Sequence, residues 1–287
     1  MIVTRSEAKR PASWSPAAGY LTISIIPAAF LLIFFVIPLG TVVLTGFTVP
    51  NVGIGNYAKA IHNEAFVKVF IYTLEISLIV TVICLFIAFP AASLLARATG
   101  RVLAIGLVMI LVPCWISTVI RTYSWMLILQ KNGALNGALK AFGLIDVPLS
   151  FLNSTTGVLI GMIHILLPYM LLPLISNLRQ MDRNLINASS VLGAGPVQSF
   201  VFVYLPLSVP AIVAGCTLVF VTALGFFITP SLLGGAKNTM IAVLISQQVT
   251  VLGDWGMAST LATILLATTL VIYGAFSALM RNPTGSQ

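Results

Sequence analysis

Six long apolar runs make up most of this sequence and limit its fold more than any other feature. They cover residues 21–47, 67–96, 102–128, 156–177, 205–230 and 258–280. A helix of about 20 mostly apolar residues is long enough to span a bilayer. Only 7% of the 287 residues are charged, whereas soluble domains average about 25%. The sequence therefore predicts an all-α membrane protein with about six transmembrane helices.

The runs divide the chain into three segments. Residues 1–20 are predicted to form an N-terminal tail, residues 21–280 the transmembrane domain, and residues 281–287 a C-terminal tail. The first run is too long for the core of a signal peptide, so we interpret it as an uncleaved anchor.

The basic residues between the runs predict the orientation, because Lys and Arg concentrate in cytoplasmic loops. Of the 14 Lys and Arg residues, eight lie on the side of both termini, five lie on the other side, and Arg121 lies within a run. The eight are Arg5, Lys9, Arg10, Arg97, Arg101, Arg179, Arg183 and Arg281; the five are Lys59, Lys68, Lys131, Lys140 and Lys237. Both termini are predicted to be cytoplasmic.

Common catalytic and ligand-binding motifs are absent from the sequence. There is no Walker A phosphate loop, no HExxH and no GxSxG. His62 and His164 stand apart, and no Cys or His residues have metal-ligand spacing, so we predict neither a metal site nor a cofactor. The net charge of +8 does not indicate a nucleic-acid partner, because the basic residues form no stripe with aromatic residues.

Proline occurs repeatedly inside the apolar runs. Each one frees a backbone carbonyl and bends its helix, so the set favours bent helices around a pathway. The nine are Pro27, Pro38, Pro90, Pro113, Pro168, Pro173, Pro206, Pro210 and Pro230.

Two charged residues, Glu75 and Arg121, lie deep in the second and third runs. If both runs are straight helices, a rise of about 1.5 Å per residue places the two charges at a similar depth. An isolated charge at depth is costly. The sequence leaves open an ion pair between them, separate hydrogen-bonded sites, or contact between Glu75 and a substrate.

Three aromatic residues, Trp115, Tyr123 and Trp125, accompany Arg121 in the third run. Aromatic residues gather at membrane interfaces, which accounts for Tyr123 and Trp125 without a further role. The alternative is that some of the three line the outer end of a pathway.

Two connecting segments outside the runs, 133–145 and 241–252, have short amphipathic patterns. Each is predicted to be a surface helix that packs against its own bundle or supports a partner.

The connecting segment 179–212 is the most informative. Residues 182–192 favour a short helix with an apolar face of Leu185, Ala188 and Leu192. Gly193 and Gly195 then interrupt it, and Pro196 is suited to begin a second short helix. A helix–turn–helix on the cytoplasmic surface is predicted, joined directly to the fifth membrane helix.

This segment resembles the EAA loop of bacterial ABC importer permeases, which has the form EAA, three residues, Gly and, further on, Leu-Pro. The matching positions are Asn187, Ala188, Ser189, Gly193, Ala194, Leu205 and Pro206. Asn187 replaces the Glu of the pattern, and Ser189 replaces its second Ala. PCWISTVIRTYSW at 113–125 and FFITPSLLGGAKNTMIAVLI at 226–245 resemble the spermidine/putrescine branch of the family.

The resemblance implies the type I importer permease fold, with a five-helix core and a first flanking helix, in a bacterial inner membrane. It implies a second permease subunit, usually a different chain, a dimer of cytoplasmic ATP-binding subunits and an external substrate-binding protein. The EAA-like loop, residues 179–206, would contact the ATPase through residues 184–200, so the chain itself is not an enzyme. The alternatives are an ion-coupled carrier that uses Glu75 and Arg121, and a membrane scaffold without transport.

Overall fold

Long helices dominate the structure, a computed structural model that describes residues 24–25 and 27–281. Five helices are long and apolar enough to span a membrane: α1 Pro27–Thr48, α3 Glu64–Arg97, α7 Thr155–Gln180, α9 Pro196–Leu224 and α12 Trp255–Arg281. Shorter helices between them are α2 Gly55–His62, α6 Ala134–Ala141, α8 Arg183–Val191, α10 Ile228–Leu233 and α11 Ile241–Thr250. The predicted tails lie outside the described residues, apart from Arg281 at the end of α12.

The third apolar run is not the single helix that its hydropathy predicts. It forms α4, Gly100–Trp115, and α5, Thr118–Leu129. The chain bends by 98° where they meet. Ile116 and Ser117 are extended, with ψ of 133° and 136°, so the helical hydrogen-bond ladder of α4 ends at Trp115. We call this break, residues 116–117 with the first turn of α5, the elbow. Counted as one broken span, α4 and α5 bring the described spans to six.

The core lies between α3, α7 and α9, which pack against one another. Small residues on α3 recur every fourth position, so α7 can approach closely. The α7 side of this contact carries large residues at the same spacing. The buried residues are Cys84, Ala88, Ala92 and Ala96 on α3, and Met162, Leu166, Met170 and Leu174 on α7.

Helix α1 flanks this core and packs against α12. Their contact is close at Gly256, where an added Cβ would overlap the carbonyl of Val49. Asn56 of α2 donates a 2.6 Å hydrogen bond to the same carbonyl. None of the apolar stretch of α1 is buried within the chain, against 56% of that in α7, so α1 is peripheral, as expected of a first flanking helix.

Both amphipathic segments outside the runs are helical, as α6 and α11. Helix α11 packs against α12 and α3, and the Ile241 N–H donates to the hydroxyl of Thr73 over 2.8 Å. Asn136 of α6 is buried and hydrogen-bonds both the N–H and the carbonyl of Leu149. Both helices therefore contact their own chain.

Candidate coupling loop and membrane site

The EAA-like segment folds into two arms joined by a tight turn. The first arm is α8, whose start is capped by Asp182 through a 2.9 Å hydrogen bond from the Asn184 N–H. The second arm is the start of α9, with Pro196 at its first position. We call residues 183–204 the coupling loop. The helix, the Gly interruption and the Pro196 start predicted for this segment are all present.

Gly193 ends the first arm in a left-handed conformation, with φ of +86°. The Gly193 N–H donates to the Ser190 carbonyl and the Ala194 N–H to the Ser189 carbonyl. This pair of bonds defines a Schellman motif, which favours glycine at the position of Gly193. No heavy atom lies within 4 Å of an added Cβ, so the need for glycine comes from the backbone conformation.

Ser189 connects the two arms. Its hydroxyl lies 2.7 Å from that of Ser199, which is buried, and it donates to the Ile186 carbonyl. An alanine, the residue that the EAA pattern has at this position, could make neither bond. This departure therefore adds a link within the loop, and Ser199 is a residue that the sequence pattern did not identify.

The second arm is not the separate short helix predicted from the sequence. It runs without interruption into the membrane span, as one helix from Pro196 to Leu224. A wider, π-helical turn at Phe200–Tyr204 precedes Pro206. Proline has no N–H to donate, and its ring crowds the carbonyl four residues earlier, which explains why the helix widens there. Leu205 and Pro206 thus lie inside this helix.

Tyr204 fixes the second arm to the C-terminal part of α3. Its hydroxyl donates to that of Ser93 over 3.0 Å, and its ring meets Phe89 edge-on. A cavity of about 270 Å³ remains between the loop and the ends of α3 and α7, lined in part by Arg97, Asn187 and Tyr204. Asn187 is exposed, so its amide is available to groups outside the chain.

Apolar side chains at the turn face away from the protein. Val191 and Leu192 are each 88% exposed, and Val197 is 74% exposed. The apolar face predicted for α8 does not pack inward, because Leu185 and Ala188 are also exposed. Ile186 instead packs against the core cluster. The coupling loop thus presents an uncovered apolar tip.

The two membrane charges do not form an ion pair. Among the described residues the one ion pair joins Lys68 and Glu64. Glu75 is exposed on α3, whereas Arg121 is buried in the first turn of α5. The depth argument assumed a straight third helix, and the 98° bend removes that premise. Of the three readings left open, the ion pair is therefore wrong in this structure.

The three aromatic residues near the elbow have different surroundings. Trp115 is 91% exposed at the end of α4, and Tyr123 is about half exposed on α5. Trp125 meets the ring of His164 edge-on, with centroids 5.5 Å apart. This ring contact places α5 beside the middle of α7. His164 is exposed. Because it is an isolated His in an apolar run, the sequence pattern did not predict its contact with Trp125.

Hydrogen bonds link α3, near Glu75, to the start of α7 and to the segment that follows α10. The Tyr72 hydroxyl, one turn from Glu75, lies 3.2 Å from that of Thr155, which donates to the amide oxygen of Asn238. Asn238 and Thr155 line an open cavity of about 510 Å³ that also includes Lys237. Within the described residues, no group of three or more His, Cys, Asp or Glu residues could hold a metal ion.

The fold is that of an ABC importer permease. The chain superposes on a chain of a bacterial alginate ABC transporter, solved with an alginate-bound periplasmic protein, with a TM-score of 0.76 at 17% identity, covering 94% of this chain and 96% of that one. Residues 77–282 match the family described as binding-protein-dependent transport system inner membrane component, and the chain belongs to this family.

Two relatives illustrate its range. The spermidine/putrescine transport system permease protein PotB of Salmonella typhimurium is 36% identical over 230 residues, which are 79% of this chain and 80% of PotB. The putative 2-aminoethylphosphonate transport system permease protein PhnU of Salmonella paratyphi A is 25% identical over 266 residues, 88% of each chain. The chain is therefore a multi-pass inner-membrane permease subunit of a binding-protein-dependent ABC importer. ATP hydrolysis belongs to a separate subunit, and the alternatives of an ion-coupled carrier and a scaffold are set aside.

Proposed function

We propose that the chain forms part of the translocation pathway for a small, polyamine-like solute, and that a cytoplasmic ATPase dimer drives it through residues 184–200. A second permease subunit, a different chain, completes the pathway, and an external binding protein delivers the solute. Both termini are cytoplasmic in this arrangement, which follows the distribution of Lys and Arg.

The apolar tip of the coupling loop carries the ATPase part of the proposal. Exposed apolar side chains that cluster on a surface mark a protein contact. In this loop they stand on a turn that is fixed by a Schellman motif and by the Ser189–Ser199 contact. The second arm is continuous with the span Pro196–Leu224, so force applied at the tip reaches the membrane through one helix.

The relatives and the position of Glu75 support the choice of solute. The solutes in the names of PotB and PhnU all contain a primary amine. Glu75 is an exposed carboxylate, one turn along α3 from Tyr72, and has no ion-pair partner among the described residues. A carboxylate at depth is costly when unpaired, and an ammonium group of the solute would neutralise it.

A pair of matched substitutions tests the coupling loop. Leu192→Asp places a charge on the tip, whereas Val52→Asp places one at an equally exposed site, 87% against 88%, in the loop between α1 and α2. We expect Leu192→Asp to reduce co-purification of the ATPase at least about tenfold, because a buried charge in an apolar contact costs more than 1.4 kcal/mol. Val52→Asp should retain it. Equal retention in both variants would refute ATPase docking at the tip.

Reconstitution tests the solute. The complete transporter, in proteoliposomes with ATP inside and binding protein outside, is expected to accumulate radiolabelled spermidine or putrescine. Uptake should require both ATP and the binding protein. If the transporter accumulates an amine-free solute and neither polyamine, the proposed solute is wrong, although the chain is still part of an importer.

A further inference from the structure

The elbow leaves the start of a helix without a cap inside a membrane span. The first N–H groups of any helix have no acceptor within it, and the Ser117 side chain caps none of those in α5. No acidic residue lies in the first turn. Ser117, Val119 and Ile120 are exposed in the chain, so this turn can be reached from outside it. A free helix start carries partial positive charge.

Arg121 adds a full positive charge at the same place. The side chain is only 8% exposed, and its Nη2 donates to the Thr118 hydroxyl over 3.3 Å. The guanidinium therefore folds back to the beginning of α5. Nε and Nη1 are buried without any hydrogen-bond partner, and no carboxylate of the described residues forms an ion pair with it.

Unpaired guanidinium donors in a membrane span are costly, and here they coincide with unpaired backbone donors. Broken membrane helices use this combination, a half-helix start that points at an anionic group. A guanidinium presents parallel donors that match the two oxygens of a carboxylate. The surplus of donors and of positive charge at the elbow indicates a missing acceptor.

We propose that the elbow binds an oxyanion of the carboxylate type, held between the first turn of α5 and the guanidinium of Arg121. The oxyanion has two possible sources with the same chemistry, a small molecule in the pathway or an Asp or Glu side chain of the second permease subunit. The polyamine-like solute proposed above carries no carboxylate, so neither source is that solute. Only the partner source rests on the proposed function, through its second permease subunit; the site itself does not.

Two measurements distinguish the sources. In the first, the full chain alone in nanodiscs is titrated with sodium glutamate, at an ionic strength held constant with sodium chloride, and the thermal unfolding midpoint is followed. In the second, the amount of second permease subunit that co-purifies with the chain is measured. The variants are Arg121→Gln and Arg121→Lys, and the control is Lys140→Gln, which removes an exposed cation from α6.

A small-molecule source predicts that glutamate raises the midpoint of the wild type and of Lys140→Gln. The apparent Kd should be about tenfold or more weaker in Arg121→Gln, because a hydrogen bond to a charged group contributes about 1.5–3 kcal/mol. A partner source predicts no response of the isolated chain and at least tenfold less second subunit with Arg121→Gln. Arg121→Lys keeps the charge but not the paired donors, so its glutamate affinity or its retention of the second subunit should lie between those of the wild type and Arg121→Gln.

The proposal is overturned if glutamate has no Arg121-dependent effect and Arg121→Gln also retains the second subunit at the level of Lys140→Gln. If Arg121→Gln does not fold, Arg121→Lys decides: wild-type behaviour in both measurements overturns the site. Neither measurement uses solute uptake, so failure here leaves the proposed import function untouched.

Discussion

The hydroxyl groups of Ser189 and Ser199 lie 2.7 Å apart and join the two arms of the coupling loop. Removal of either hydroxyl should loosen the loop by about 1 kcal/mol, the usual net value of such a bond. We therefore expect Ser189→Ala and Ser199→Ala each to reduce the ATPase stimulation caused by solute-loaded binding protein. The double variant should lose no more than the larger single loss, because the bond is already gone.

The control for this pair is Ser190→Ala. Ser190 is exposed and bonds only the Ile186 carbonyl of its own helix, so its removal should leave stimulation unchanged. Losses in the double variant that equal the sum of the single losses would show that the two hydroxyls act separately.

Gly193 should not tolerate a side chain, although space is available. A left-handed conformation costs a non-glycine residue about 1–2 kcal/mol, so Gly193→Ala should weaken ATPase docking and uptake while membrane insertion stays normal. Gly195→Ala is the matched control, since Gly195 has a φ of −68° that alanine adopts readily. Asn is tolerated at such positions, and Gly193→Asn should restore much of the loss. Normal docking by Gly193→Ala would show that ATPase docking does not depend on this left-handed turn.

Glu75→Gln should impair transport without impairing folding. Because Glu75 is exposed in the chain and outside any ion pair, its loss should leave folded yield unchanged. The KM for spermidine uptake should rise about tenfold, the effect of losing about 1.4 kcal/mol of charge-assisted contact. Glu64→Gln, which removes a carboxylate from an exposed ion pair, should leave this KM unchanged.

The absence of a Glu75–Arg121 contact makes a separate prediction. Because Glu75→Gln alone should leave folded yield unchanged, the double variant should yield as much folded protein as Arg121→Gln alone, since residues that share no contact behave independently. A double variant that yields more folded protein than Arg121→Gln alone would mean that the two charges pair in the membrane after all.

Gly256 should be required for α1 to pack on α12. A methyl group there would meet the backbone of Val49, which cannot move aside as a side chain could, and overpacking of this kind costs about 1–3 kcal/mol. Gly256→Ala should therefore lower the thermal midpoint. Gly274→Ala, in the same helix with nothing within 4 Å, should not. If Gly256→Ala and the wild type have equal thermal midpoints, the backbone at Val49 can move away from the methyl group without loss of stability.

The sequence predicted the long helices and the first arm of the coupling loop, because both depend on local patterns. The length of an apolar run identifies a membrane span. In the coupling loop, Asp182 caps the start of α8, Gly193 ends that helix, and Pro196 begins the next one. The elbow was missed since hydropathy continues through Ile116. Its local signal, Pro113 four residues before Ser117, matches that of the prolines inside α3 and α7, where the helices continue.

Contacts between distant segments could not be predicted in this way. The Ser199 partner of Ser189, the Tyr204 contact with Ser93 and the closeness of Trp125 to His164 depend on how helices pack. Ser199 and Tyr204 have no pattern that separates them from their neighbours. Glu75 and Arg121 are isolated charges in neighbouring apolar runs, so the sequence suggested an ion pair. Whether they can meet depends on the direction of α5, which the sequence does not predict.

The continuity of α9 has a mechanical consequence. Its 29 residues, at about 1.5 Å each, form a helix about 43 Å long that begins in the coupling loop and is long enough to cross a membrane. Just beyond that end, the Thr229 hydroxyl lies 3.1 Å from that of Thr122, the neighbour of Arg121. Under the proposed docking of residues 184–200 on an ATPase, a tilt of that end of α9 would move the opposite end toward α5, so that the ATPase contact and the elbow would lie at the two ends of one helix.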